Sequence, residues 1–177
     1  MKIILIRHGK VCYKWRGLVT SEGFNQACIG YDNGEIKIDE VPQRDLDIDL
    51  IYISGLQRTY DTANILFPGR VYVKNDIFNE VPFNSFMDTK IKLPMFVWLV
   101  IGRMQWMFNV RRQFETKKET VLRAREAIKV LETQGRDCIL VSHGLFMRNL
   151  NTELRRQNYV VKGKSKYNNL SRIYFER

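Results

Sequence analysis

Two short copies of one pattern constrain this chain more than anything else in it. Ile3-Ile4-Leu5-Ile6-Arg7-His8-Gly9 and Ile139-Leu140-Val141-Ser142-His143-Gly144 each run from large apolar residues into a His-Gly pair, and they hold the only two histidines in the sequence. Unbroken apolar runs of this length read as strands buried on both faces. In open α/β sheets, ligands bind beyond the carboxyl ends of the strands. If the two strands are parallel neighbours, both imidazoles meet in one pocket. The alternative is that each histidine is an ordinary, hydrogen-bonded strand-end residue. The repetition of the pattern favours the shared pocket.

The remaining segments supply helices and further strands. A helix is expected from Thr20 or Ser21, with Ser21 as N-cap, Glu22 in the first turn and Phe24, Ala27 and Cys28 facing inward. Gly30 and Asp32-Asn33-Gly34 read as the turn that ends it. Residues 35–49, broken by Pro42, read as a loop. Leu50–Ile53 is a second buried strand, followed by a helix over 56–66 that Pro68-Gly69 stops. Val71–Val73 is a third strand, leading towards Glu80. Residues 93–108 form an apolar helix with Trp98, Met104, Trp106, Met107 and Phe108, too short to span a membrane. It reads as a lid, core or subunit-contact helix, which leaves a homodimer possible. Glu119–Glu132 carries an apolar stripe of Val121, Leu122, Ala124, Ile128 and Leu131. A helix over 146–154 and a final strand over 172–175 complete the chain. Strands alternating with helices predict one α/β domain over 1–177: a three-layer α/β/α sandwich with a mainly parallel central sheet, residues 83–114 being a lid-like insertion.

Charge narrows the partners. The net charge is +10, which suits phosphate compounds, nucleic acid or an anionic surface. Acids are absent from 89–114 and from 154–175. Tyr159, Tyr167 and Tyr174 interleave with the basic tail, but no nucleic-acid-binding motif accompanies them, so that partner is disfavoured. The N-terminal apolar run is too short, and too close to Arg7, for a secretory leader. Cys12, Cys28 and Cys138 have no metal-ligand spacing, and an odd number of cysteines suits reduced thiols in the cytoplasm.

Arg7, His8, Arg58, Glu80 and His143 all fall at or just past strand ends, and two arginines with two imidazoles make a dianion site. No acidic cluster suggests magnesium, and no cofactor is expected. A neutral imidazole is a competent nucleophile towards phosphorus. Nearby arginines disfavour imidazolium and hold the charge on the transferring group. Glu80 is the candidate proton donor to the leaving oxygen.

These residues resemble the histidine phosphatase superfamily, which includes the cofactor-dependent phosphoglycerate mutases. Arg7-His8-Gly9 resembles its signature, and Ser54-Gly55-Leu56-Gln57-Arg58-Thr59-Tyr60-Asp61-Thr62-Ala63 its serine, arginine and Thr-Ala element. Gly23-Phe24-Asn25-Gln26-Ala27 is similar to its Gly-x-x-Gln-Ala helix, Ser142-His143-Gly144 to its second histidine motif, and 169–175 to its closing strand. The resemblance implies a phosphorylated nucleophile at His8, phosphoryl binding by Arg7, Arg58 and His143, and a general acid at Glu80. It implies metal-independent hydrolysis of a phosphorylated small molecule. The alternatives are a noncatalytic module that binds phospho-ligands or proteins, and mutase-type transfer. Lys10 and Val11 stand where the family has an acidic or Gln residue and then a hydroxyl, and Lys14 where it often has Asn. Lys10, Lys14 or Arg16 is the candidate replacement contact.

Overall fold

The computed structural model describes residues 1–15, 17–39 and 46–177. Arg16 and Pro42 lie outside the described residues. Six strands form the central sheet: β1 (Lys2–Arg7), β2 (Leu50–Ile53), β3 (Tyr72–Lys74), β4 (Cys138–Ser142), β5 (Val160–Lys162) and β6 (Arg172–Glu176). Their order is β3-β2-β4-β1-β6-β5. β1 pairs parallel with β4, as β4 does with β2 and β2 with β3, while β6 and β5 join antiparallel at the other edge. The sheet is therefore mixed and mainly parallel.

The apolar runs explain the central strands. Ile3–Ile6 and Cys138–Ser142 are buried throughout, as strands covered on both faces require. Alternation then sends Ile3 and Leu5 to one face, under α4 (Lys117–Glu132) and α5 (Gly144–Arg156), with Ala124, Ile128 and Phe146. Ile4 and Ile6 go to the other, with Ala63 and Phe67 at the end of α2 (Gln57–Leu66). A third apolar cluster joins α1 (Ser21–Asp32) to α3 (Met95–Met107). There Trp98 stacks on Phe24 at 5.6 Å and donates its indole N–H to the Val19 carbonyl. Leu18–Val19 pairs with Leu93–Pro94 at the entry to α3. Among the described residues no helix is long and apolar enough to cross a membrane.

Several boundaries differ from expectation for local reasons. Thr20, not Ser21, caps α1, its hydroxyl accepting from the Gly23 amide. The helix runs through Gly30 to Asp32, and Gly30 packs against the Tyr13 ring, where a larger residue would collide. Ile36–Lys37, expected in a loop, pairs with Lys10–Val11. α4 begins at Lys117 because Thr116 and Glu119 form a reciprocal capping box, which contributes about 1 kcal/mol. Leu122 lies on the outer face of α4 and is exposed. α5 starts directly after His143. Strand β5 went unread within the basic tail; its Val160 and Lys162 are exposed, as at a sheet edge.

Candidate active site

The parallel pairing of β1 with β4 sets Arg7 beside Ser142. His8 and His143 therefore leave adjacent strand ends together, with ring centroids 5.0 Å apart. Both are buried. Ser54 and Arg58 follow β2, and Glu80 follows β3, so the expected residues gather beyond the carboxyl ends of the parallel strands.

The two imidazoles are held differently. His8 Nδ1–H donates to its neighbour's carbonyl, Gly9 O, at 2.7 Å. A carbonyl can only accept, so the neutral ring carries its proton on Nδ1 and its lone pair on Nε2. Burial, with Arg58 and Arg7 nearby, pushes the His8 pKa down to about 3, against the opposing pull of the Gly9 carbonyl. Gly9 N–H donates to Thr62 Oγ1, and the Asn169 amide donates to the carbonyls of His8 and Gly9, so the strand end is tied from both sides.

His143 is engaged at both nitrogens. Arg58 Nε–H donates to Nδ1 at 3.2 Å, which places the ring proton on Nε2, donated to Ser54 Oγ at 2.7 Å. Ser54 Oγ also accepts from the Leu56 amide and donates to Thr59 Oγ1. Burial and then the Arg58 charge hold His143 well below its ordinary pKa.

The arginines are anchored but not saturated. Arg58 Nη1 pairs with the Asp32 carboxylate at 2.8 Å, a contact that the extra turn of α1 makes possible. Arg7 Nη1 donates to the Tyr167 carbonyl, while its Nε is buried without a partner. Its guanidinium lies against the backbone of Gly144, where a Cβ would come within 3.1 Å of Arg7 Cζ. Glu80 accepts from the Val81, Leu145 and Phe146 amides, the last two at the N-terminus of α5. The loop that carries it is fixed by Arg123, which donates to the Ile77 and Asn79 carbonyls, and by Ser142, whose hydroxyl donates to Phe78 O.

Sequence reasoning missed Asp32 and Arg103. Arg103 projects from α3, stacks 3.5 Å above the Phe83 ring and donates to Val81 O. Its Nη1 is buried without a partner, and burial lowers its pKa to about 10 against the attraction of Glu80. Glu80, Leu99 and Arg103 separate two cavities, of about 500 and 670 Å³. Arg58 and Trp15 line the first, Arg7 and Leu145 the second. Lys10 and Lys14 are both exposed and line neither. A buried donor left unpaired costs about 1–3 kcal/mol, and among the described residues Arg7 Nε and Arg103 Nη1 are two such donors.

Solved structures share the fold. A phosphoglycerate mutase from Bacillus anthracis aligns with 99% of this chain and 88% of its own, at 16% identity and a TM-score of 0.60. A phosphoserine phosphatase from Entamoeba histolytica aligns with 98% and 89%, at 18% identity and a TM-score of 0.56. A mycobacterial glucosyl-3-phosphoglycerate phosphatase aligns with 98% and 88%, at 18% identity and a TM-score of 0.54. No curated protein matches the sequence. The family model for branch 1 of the histidine phosphatase superfamily matches residues 3–171, and the chain belongs to that family.

Proposed function

We propose that the protein is a phosphomonoester hydrolase working through a phosphohistidine on His8. The observation that carries this reading is the neutral His8 ring, its Nδ1 proton committed to Gly9 O and its Nε2 lone pair without a partner among the described residues, near two arginines. In the first step that lone pair forms a bond to phosphorus as the phosphorus–oxygen bond to the leaving group breaks. Glu80 gives its proton to the departing oxygen. Water then attacks the phosphorus, Glu80 takes the water's proton, and inorganic phosphate leaves with Nε2 restored. Arg7 and Arg58 hold the phosphoryl charge. For His143 to touch the phosphoryl group, one of its bonds to Arg58 or Ser54 must be exchanged, so in the resting state it orients Arg58. The 83–114 segment serves as the lid, since α3 brings Leu99 and Arg103 to the cavities that Glu80 lines.

The phosphatases among the similar structures support hydrolysis of a phosphorylated small molecule. The test is phosphate release from an aryl phosphate in EDTA, wild type against His8→Ala. Activity in the wild type that disappears in the variant is expected; equal activity in both removes His8 from the mechanism. One observation favours a noncatalytic binding module instead: Asp32 holds Arg58 Nη1, so one donor is diverted from the charge that builds up during transfer while the rest of the guanidinium can still bind phosphate. That reading predicts phosphate binding with no turnover.

A further inference from the structure

The second cavity differs in character from the first. Its lining joins polar groups, Arg7 and Glu80, to apolar ones: Val100, Met104 and Met107 from α3 and Leu145 from α5. Those three α3 side chains are 55%, 47% and 44% exposed, although they line a groove shared with Arg7, next to His8 in the chain, and with Glu80. Phe96 and Phe108 extend the same stripe along the helix, 66% and 68% exposed. A soluble helix normally turns such a stripe inward, and a continuous exposed apolar strip marks a binding surface.

From this continuity we infer that the groove takes the hydrocarbon portion of an amphiphilic phosphomonoester, with the phosphate at His8 and the chain lying along α3. The inference rests on the phosphatase reading above and names its substrate class. Charge favours this occupant over a second copy of the chain. Lys90 and Lys92 precede α3, Arg111 follows it, all three are exposed, and no acid lies between Asp88 and Glu115. Arg148 stands at the groove above the Tyr167 ring. A second copy would bring the same +10 charge against this face. An anionic headgroup, or an anionic surface that presents one, is complementary to it.

The test compares butyl phosphate with octyl phosphate, both below their micellar concentrations, by phosphate release in EDTA. Full burial of a methylene is worth about fourfold and half-burial about twofold, so four added methylenes should raise kcat/KM by about tenfold or more. Met104→Glu and Val100→Glu, at half-exposed positions, should each bring the octyl-to-butyl ratio close to one. Octylphosphonate should inhibit the wild type at a concentration about tenfold lower than butylphosphonate, which tests the groove without any variant. Turnover of both esters with a flat ratio and equal inhibition overturns the groove assignment and leaves the phosphatase reading intact. So does a flat ratio in a wild-type dimer that Met104→Glu dissociates, which gives the face to a second copy. A ratio that survives both variants places the chain elsewhere and overturns the assignment too. No phosphate release from any ester by folded protein overturns the phosphatase reading, and the inference with it.

Discussion

The end of β1 and the end of β4 carry nearly the same residues and present them differently. At β1, His8 spends one nitrogen on its own backbone and leaves the other unpartnered among the described residues. At β4, His143 spends both, one on Arg58 and one on Ser54. The local pattern, an apolar strand followed by His-Gly, fixes where each ring sits but not what it can do. Neighbours from β2 decide that. Ser54 and Arg58 reach His143, and only the charge of Arg58 reaches His8. In the mechanism we propose, a strand-end histidine serves as nucleophile or orienting group according to which of its nitrogens the rest of the fold occupies.

Substitutions can break this contrast. His8→Ala should lower phosphate release by about 10⁴-fold or more, because no other described group can take over as nucleophile. Glu80→Gln removes the proton and keeps one side-chain oxygen to accept an α5 amide, while its NH2 cannot accept the other. It should cost about 10²–10³-fold on alkyl phosphates and far less on p-nitrophenyl phosphate, whose leaving group needs no proton. His143→Ala should cost about 10²-fold, as expected for losing the group that aims Arg58. If His143→Ala proves as severe as His8→Ala, the assigned roles are wrong. Gly144→Ala presses a methyl group on Arg7 and should raise KM about tenfold with little change in kcat, a displacement effect. Asp32→Asn weakens the hold on Arg58 and should tighten binding of inorganic phosphate by a few-fold, read as a lower Ki.

Acid titration sharpens the contrast through stability. Both histidines are buried neutral, so below the ordinary value of 6.5 the unfolded chain binds protons that the folded chain refuses. Stability is therefore complete above pH 6.5 and falls as the pH drops towards about 3, the folded value for His8. Well inside that window each histidine contributes a slope of about 1.4 kcal/mol per pH unit. Urea unfolding of His8→Gln between pH 6.5 and 5 should show a shallower dependence than wild type. The same depression implies that the acid limb of kcat/KM shows no step near 6.5 from His8.

Much of this was readable in the chain because it depended on short-range patterns. Apolar runs marked β1, β2 and β4, and His8, Arg58 and His143 stood beside them. Glu80 was legible only as a partner to that set, since nothing near it in sequence reveals that it docks on the α5 amides. Asp32 was read as part of a turn. Its meeting with Arg58, 26 positions away, depends on α1 continuing past Gly30 to Asp32. Arg103 stood out only as a charge interrupting an apolar run. That it is buried over Phe83 beside Glu80 is a product of how α3 lands on the rest of the molecule. Local pattern identified the elements, while the pairing of charges between elements required the assembled fold.

The place of β1 in the middle of the sheet has a consequence for how the protein is made. Both of its neighbours come from much later in the chain: Lys2 bonds to Asp137, 135 positions on, and His8 O waits for Asn169, 161 positions on. A nascent chain leaving the ribosome therefore carries Ile3–Ile6 as an unpaired apolar segment until residues 138–142 and 172–176 have emerged. Such non-local closure slows folding and leaves the segment exposed to wrong partners. His8 leaves the ribosome well before Cys138–Ser142, and the pocket around it forms only after that strand has emerged.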